Sequence, residues 1–115
     1  MTRPLTVCIP VTPDGQVGGG FGRAPQVAIA TLEAGAVTDW QVLPVGWDVL
    51  HDTTTEGGHH ARVARFLMDR SVDLVVVGHM GEGMRQMLDS MGLAVRMGAF
   101  GDAREAVLEG TAGTG

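Results

Sequence analysis

No segment constrains this chain more than Leu74-Val75-Val76-Val77, four apolar residues in a row between Asp73 and Gly78. A strand with no polar alternate position has no face to offer to water, so it belongs inside a sheet with helices on both sides. The neighbouring sequence supplies such helices. From His59 to Arg70, Ala64, Leu67 and Met68 keep three- and four-residue spacing among Arg62, Arg65 and Asp69, which predicts an amphipathic helix. The stretch from His79 to Gly92 predicts a second, closed by Gly92, where a left-handed conformation is cheapest for glycine. Leu93 to Met97 predicts a short last strand. Asp102 to Glu109 predicts a last helix, with Asp102 and Glu105 at capping-box spacing.

The first half of the chain follows a different pattern. Leu5 to Val11 is a β-branched apolar run that stops at Thr12-Pro13-Asp14-Gly15, a turn signal. Five glycines follow between Gly15 and Gly22, and then two β-prone runs, Gln26 to Glu33 and Ala36 to Pro44, meet at Ala34-Gly35 as a hairpin. After Pro44, Asp48, His51, Asp52, three threonines and Gly57-Gly58 predict an irregular loop of about fourteen residues, a length that is often functional. The order β-β-β-α-β-α-β-α predicts an α/β fold: a mixed five-stranded sheet with about three helices, its second half joined by right-handed crossovers. At 115 residues there is chain for one core only. The domain is expected over residues 1–110, with 111–115 a small polar tail.

Composition removes several functions. All eight basic residues are arginines, scattered along the sequence, and the net charge is -5, so the clustered cations that grip a phosphate backbone are missing and nucleic acid is not an expected partner. No apolar run approaches the ~20 residues that span a bilayer, and the start of the chain carries no recognisable export signal. A single cysteine, Cys8, allows neither an intramolecular disulfide nor an all-cysteine metal site, and suits a reducing compartment. A cytoplasmic location is the expectation.

The chemistry-bearing residues gather where open α/β sheets place their ligands, at the carboxyl ends of the parallel strands. His79 directly follows the buried strand. His59 and His60 open the helix that feeds it, and His51 lies in the preceding loop, so all four histidines have access to one edge. Neutral imidazole suits Fe, Cu, Zn or Ni, and Asp48, Asp52 or Glu56 would add a carboxylate or orient a ring. His59 and His60 are about 100° apart on a helix and cannot both face one point. The glycines from Gly18 to Gly22, with Gly81 and Gly83, either admit close backbone approach to an anion or serve ordinary turn geometry. Gly20, Phe21, Gly22, Arg23 and Gly81 are therefore the expected cofactor-binding set, and His51, His59, His60 and His79 the expected metal ligands. Met80, Met84, Met87 and Met91 share one helical face, a spacing that lines a core or a homodimer surface more often than a Cu(I) site. Trp40 and Trp47 either wall the site or cap the core.

Taken together, Ile9-Pro10-Val11, Phe21-Gly22-Arg23-Ala24-Pro25, the Gly/His stretch before a helix, Asp73 to Gly83 (DLVVVGHMGEG) and Met91 to Val95 (MGLAV) resemble the dinitrogenase iron-molybdenum cofactor biosynthesis family, which contains NifX and the C-terminal part of NifB. The resemblance covers about Leu5 to Gly110. It implies a ribonuclease H-like fold without nuclease activity, and a protein that binds or carries an iron-sulfur, iron-molybdenum or other metal cluster. Many members place a histidine directly before the Phe-Gly pair, where this chain has Gly20. The expected function is thus a carrier or accessory protein for such a cofactor, with no turnover. The alternative is a metal-dependent enzyme on a small molecule, with Asp52, Glu56 or His51 as acid or base.

Overall fold

The computed structural model describes residues 4–53 and 55–112, leaving the side chains of His51, Asp52 and Glu56 outside the described residues. Five strands form one mixed sheet in the order β3-β2-β1-β4-β5. β2 (Gln26–Glu33) runs antiparallel to both of its neighbours, β1 (Leu5–Pro10) and β3 (Ala36–Pro44). β4 (Leu74–Val76) and β5 (Ala94–Arg96) extend the sheet in parallel from β1. The hairpin occupies the expected residues, with Ala34 (φ 53) and Gly35 (φ 80) both in the left-handed region at its turn. β4 is interior, between β1 and β5, and buried, as the apolar run requires.

Strand alternation splits the interior into two cores. Cys8, Val27, Ile29, Val75 and Val77 face one side, and Val7, Ile9, Ala28, Ala30, Leu74 and Val76 the other. On the first side pack α1 (Trp47–Thr53), α2 (Glu56–Asp69) and α3 (Glu82–Ser90); on the second, α4 (Ala103–Thr111). The sheet sits between two helical layers.

The segment after Pro44 is not an irregular loop to Gly58, because it holds α1 and the first turn of α2, which brings the helices to four. A seven-residue helix is marginal on propensity and depends on tertiary packing. Trp47 provides that packing: it is 2 % exposed, with its ring edge-on to Phe21 and to Phe66 at 5.3 Å each. α2 begins ahead of His59, where the Thr55 hydroxyl accepts the Gly58 N–H at 3.1 Å, a cap that offsets part of the poor helix propensity of Gly57-Gly58.

α3 starts at Glu82 rather than at His79, since His79 is taken up in a bridge to Gly20. Its end is as expected: Gly92 (φ 78) follows Met91, and the amides of Gly92 and Leu93 donate to the carbonyls of Asp89 and Leu88 at 3.0 Å each, a Schellman closure. α4 is closed at its start. The Asp102 carboxylate accepts the Glu105 N–H at 3.0 Å, and the Gly15 carbonyl accepts the Ala103 N–H at 2.9 Å. The methionine face of α3 is core, with Met80 and Met84 buried and Met87 and Met91 packed against them. Cys8 is fully buried in β1, and loss of solvent pushes its thiol pKa far up. It behaves there as a small apolar side chain.

Candidate functional site

Beyond Val76 the sheet end becomes a cleft. Val77 still donates to the Arg96 carbonyl at 2.9 Å, after which the chain turns and His79 forms a parallel bridge with Gly20. The Phe21 N–H donates to the His79 carbonyl at 3.2 Å, so the glycine-rich segment is laid beside the end of β4. Residues Phe21–Arg23 close into one 3-10 turn with Phe21 buried. This turn, the start of α2 and the start of α3 surround a cleft of ≈ 290 Å³.

Gly20, Phe21, Gly22 and Arg23 line one wall, His59 and His60 another, and His79, Gly81, Glu82, Gly83 and Met84 the third. The structure thus brings together Gly20, Phe21, Gly22, Arg23, Gly81, His59, His60 and His79. His51, like Asp52 and Glu56, has its side chain outside the described residues. Asp48 is an exposed residue of α1. Trp47 stands behind the cleft, its ring edge-on to His59 at 6.4 Å, whereas Trp40 lies elsewhere, half-buried beneath the Arg104 guanidinium at 4.9 Å.

The three imidazoles differ in state. His79 is exposed and His60 half-buried, while His59 is 1 % exposed. Its Nε2 lies 2.6 Å from the Gly22 carbonyl oxygen and its Nδ1 3.2 Å from an Arg62 guanidinium nitrogen. Among the described residues no group of three or more His, Cys, Asp and Glu side chains is arranged to hold a metal ion.

The start of α3 is bare. Its N-cap is Gly81, which has no side chain to offer, and among the described residues nothing accepts the N–H groups of Glu82, Gly83 or Met84. Those amides carry the positive end of the helix dipole and suit an anion. Met84, expected on a core or dimer face, and Glu82 both stand in the cleft wall. The signal for Met84 lies in Gly22: a Cβ there would stand 3.1 Å from the Met84 Cε, so the glycine makes room for the thioether. Nothing in the sequence pointed to Arg62 as the partner of His59.

Comparison with known proteins agrees with this architecture. The sequence profile of the dinitrogenase iron-molybdenum cofactor family matches residues 3–113. No curated protein sequence matches the chain. Among solved structures, PH0822 is 22% identical with a TM-score of 0.73, over 92% of this chain and 90% of that one. The apo form of the orange protein from Desulfovibrio gigas is 19% identical with a TM-score of 0.73, over 98% and 92%. The Thermotoga protein TM1290, provisionally assigned to NifB, is 21% identical with a TM-score of 0.70, over 95% and 89%. At these identities the likeness concerns the fold. No helix of the described residues is long and apolar enough to cross a membrane.

Proposed function

Because this chain belongs to the dinitrogenase iron-molybdenum cofactor family, we propose that it is a carrier or accessory protein that holds an iron-sulfur or iron-molybdenum type cluster, as cargo, in the cleft at the end of β4. The observation that carries this reading is the convergence of an uncapped helix start at Gly81 with His60, His79 and Arg23 on one ≈ 290 Å³ cleft.

The donor set favours a cluster over a bare cation. A metal-sulfur cluster brings its own sulfide ligands and negative charge. It asks the protein for N–H donors, a guanidinium and one or two soft or nitrogen ligands, which the α3 amides, Arg23, the two imidazoles and the Met84 thioether provide. The cleft is at the small end of the roughly 300–1,000 Å³ range of ligand sites, which suits a compact inorganic cargo. The ribonuclease H-like assignment is supported by the sheet order, with three antiparallel strands followed by two parallel ones. Burial of the Cys8 thiol within β1 speaks against a thiolate ligand there and so supports the cleft, and a cytoplasmic location fits an oxygen-sensitive cargo.

Anaerobic reconstitution with ferrous iron, sulfide and molybdate tests the proposal. The expected product is a coloured species of fixed stoichiometry, diminished in His79→Ala and in His60→Ala. Failure of the wild-type protein to take up any metal would overturn it.

A further inference from the structure

We infer that His59 is the strut that holds the cleft wall in place and not one of its ligands, which leaves His60 and His79 as the imidazoles that face the cargo; this rests on the carrier reading given above. His59 is the one buried polar side chain among the described residues, 1 % exposed. Both of its ring nitrogens are engaged. A guanidinium has N–H donors and no acceptor, so the Nδ1 that meets Arg62 at 3.2 Å must accept. The ring proton therefore sits on Nε2, and Nε2–H donates to the Gly22 carbonyl oxygen at 2.6 Å. A metal on either nitrogen would strip a partner from the Gly22 carbonyl or from Arg62.

The relay from Arg62 through His59 to Gly22 has a geometric consequence. The Phe21–Arg23 turn is tied on one side to β4, where Phe21 N–H meets the His79 carbonyl at 3.2 Å, and on the other to α2 through His59. Two tethers to two different elements fix the separation of the walls. His60, one residue on and about 100° around the helix, lines the cleft. Arg62 does not line the cleft, so its effect on cargo runs either through His59 or through space as a positive charge, and a His59 variant separates the two.

The test uses the full chain, nitrogen-labelled, with the tetrathiomolybdate anion as a diamagnetic probe that carries sulfide and negative charge. Long-range proton-nitrogen spectra should show His59 in a single Nε2–H tautomer that addition of the probe leaves unmoved, while the His60 and His79 rings shift. Arg62→Leu should weaken probe binding by about tenfold and speed amide exchange at Phe21, whereas Arg62→Lys, which keeps a donor, should restore binding to within about twofold. In a His59→Gln background, which retains a donor and an acceptor, Arg62→Leu should add nothing further. A His59 ring in the other tautomer, one that exchanges between the two, or one that shifts with the probe as a ligand does, would overturn the inference. Wild-type protein that takes no probe while His59 remains locked and Arg62→Leu still frees the turn would refute the carrier reading and leave the strut standing.

Discussion

The starts of α3 and α4 occupy equivalent places, each following a parallel strand at the same end of the sheet, yet they are finished in opposite ways. At α4 the amides are covered: Asp102 accepts Glu105 N–H and Gly15 accepts Ala103 N–H. At α3 the cap residue is Gly81, no side chain reaches the first amides, and the space in front of them is the cleft. A capped start contributes about 1 kcal/mol to stability. The difference leaves the first amides of α3, unlike those of α4, facing an open cleft. The far end of α3, closed by its Schellman hydrogen bonds, shows that the helix as a whole is not poorly finished.

The strongest way to break this comparison is to disturb the frame both starts share. A Cβ at Gly78 would lie 2.8 Å from the Ala99 carbonyl oxygen, a backbone atom with little room to give. Gly78→Ala should cost roughly 2–3 kcal/mol, read from chemical denaturation, and a wild-type midpoint in that variant would mean that the strand ends are not coupled there. Next in size is a swap of character. Gly81 has an extended backbone (φ -63, ψ 149), and a Cβ at this position would meet nothing within 4 Å, so Gly81→Asp gives α3 the cap that α4 already has. It should raise stability by about 0.5–1 kcal/mol and lower cluster uptake by about tenfold; unchanged uptake would separate the bare amides from the cargo.

The reciprocal change is smaller and one-sided. Asp102→Ala should cost about 1 kcal/mol of stability with uptake unaffected, and thermal melting alongside reconstitution decides it. The smallest effect concerns acid. The Thr12 hydroxyl donates to the Asp14 carboxylate at 2.5 Å, and this bond holds the Asp14 pKa below its ordinary value. A lowered folded-state pKa means that the stabilisation is present above the unfolded value of about 3.9 and is lost as pH falls through the folded one. Acidification below about pH 4 should therefore loosen the Thr12–Gly15 turn and expose the Ala103 amide, whose acceptor is Gly15, to faster exchange. The Glu82 amide should not respond, and equal changes at both would deny the turn a part in closing α4.

Much of this was legible in the sequence because it rests on local rules. The hairpin, the buried interior strand, the Gly92 closure and the Asp102 cap each declare themselves through a few adjacent residues. The family resemblance was carried by spaced motifs and agrees with the match over residues 3–113. What the sequence concealed depends on contacts between distant segments. α1 exists because Trp47 packs against Phe21 and Phe66, and no periodicity within seven residues reveals that. The histidines could be brought to one edge by topology, but their different states follow from Gly22 and Arg62, the first 37 residues from His59 and on another element.

The division of the interior into two cores has a consequence for how such a chain can diverge. Val7, Ile9, Leu74 and Val76 with α4 form one packed layer, and the cleft grows from the other. Substitutions around Gly22, His60 or Met84 can reshape what the cleft accepts while the α4 layer keeps its packing. A lineage built on this plan is free to change the lining of its cleft without having to reinvent its fold.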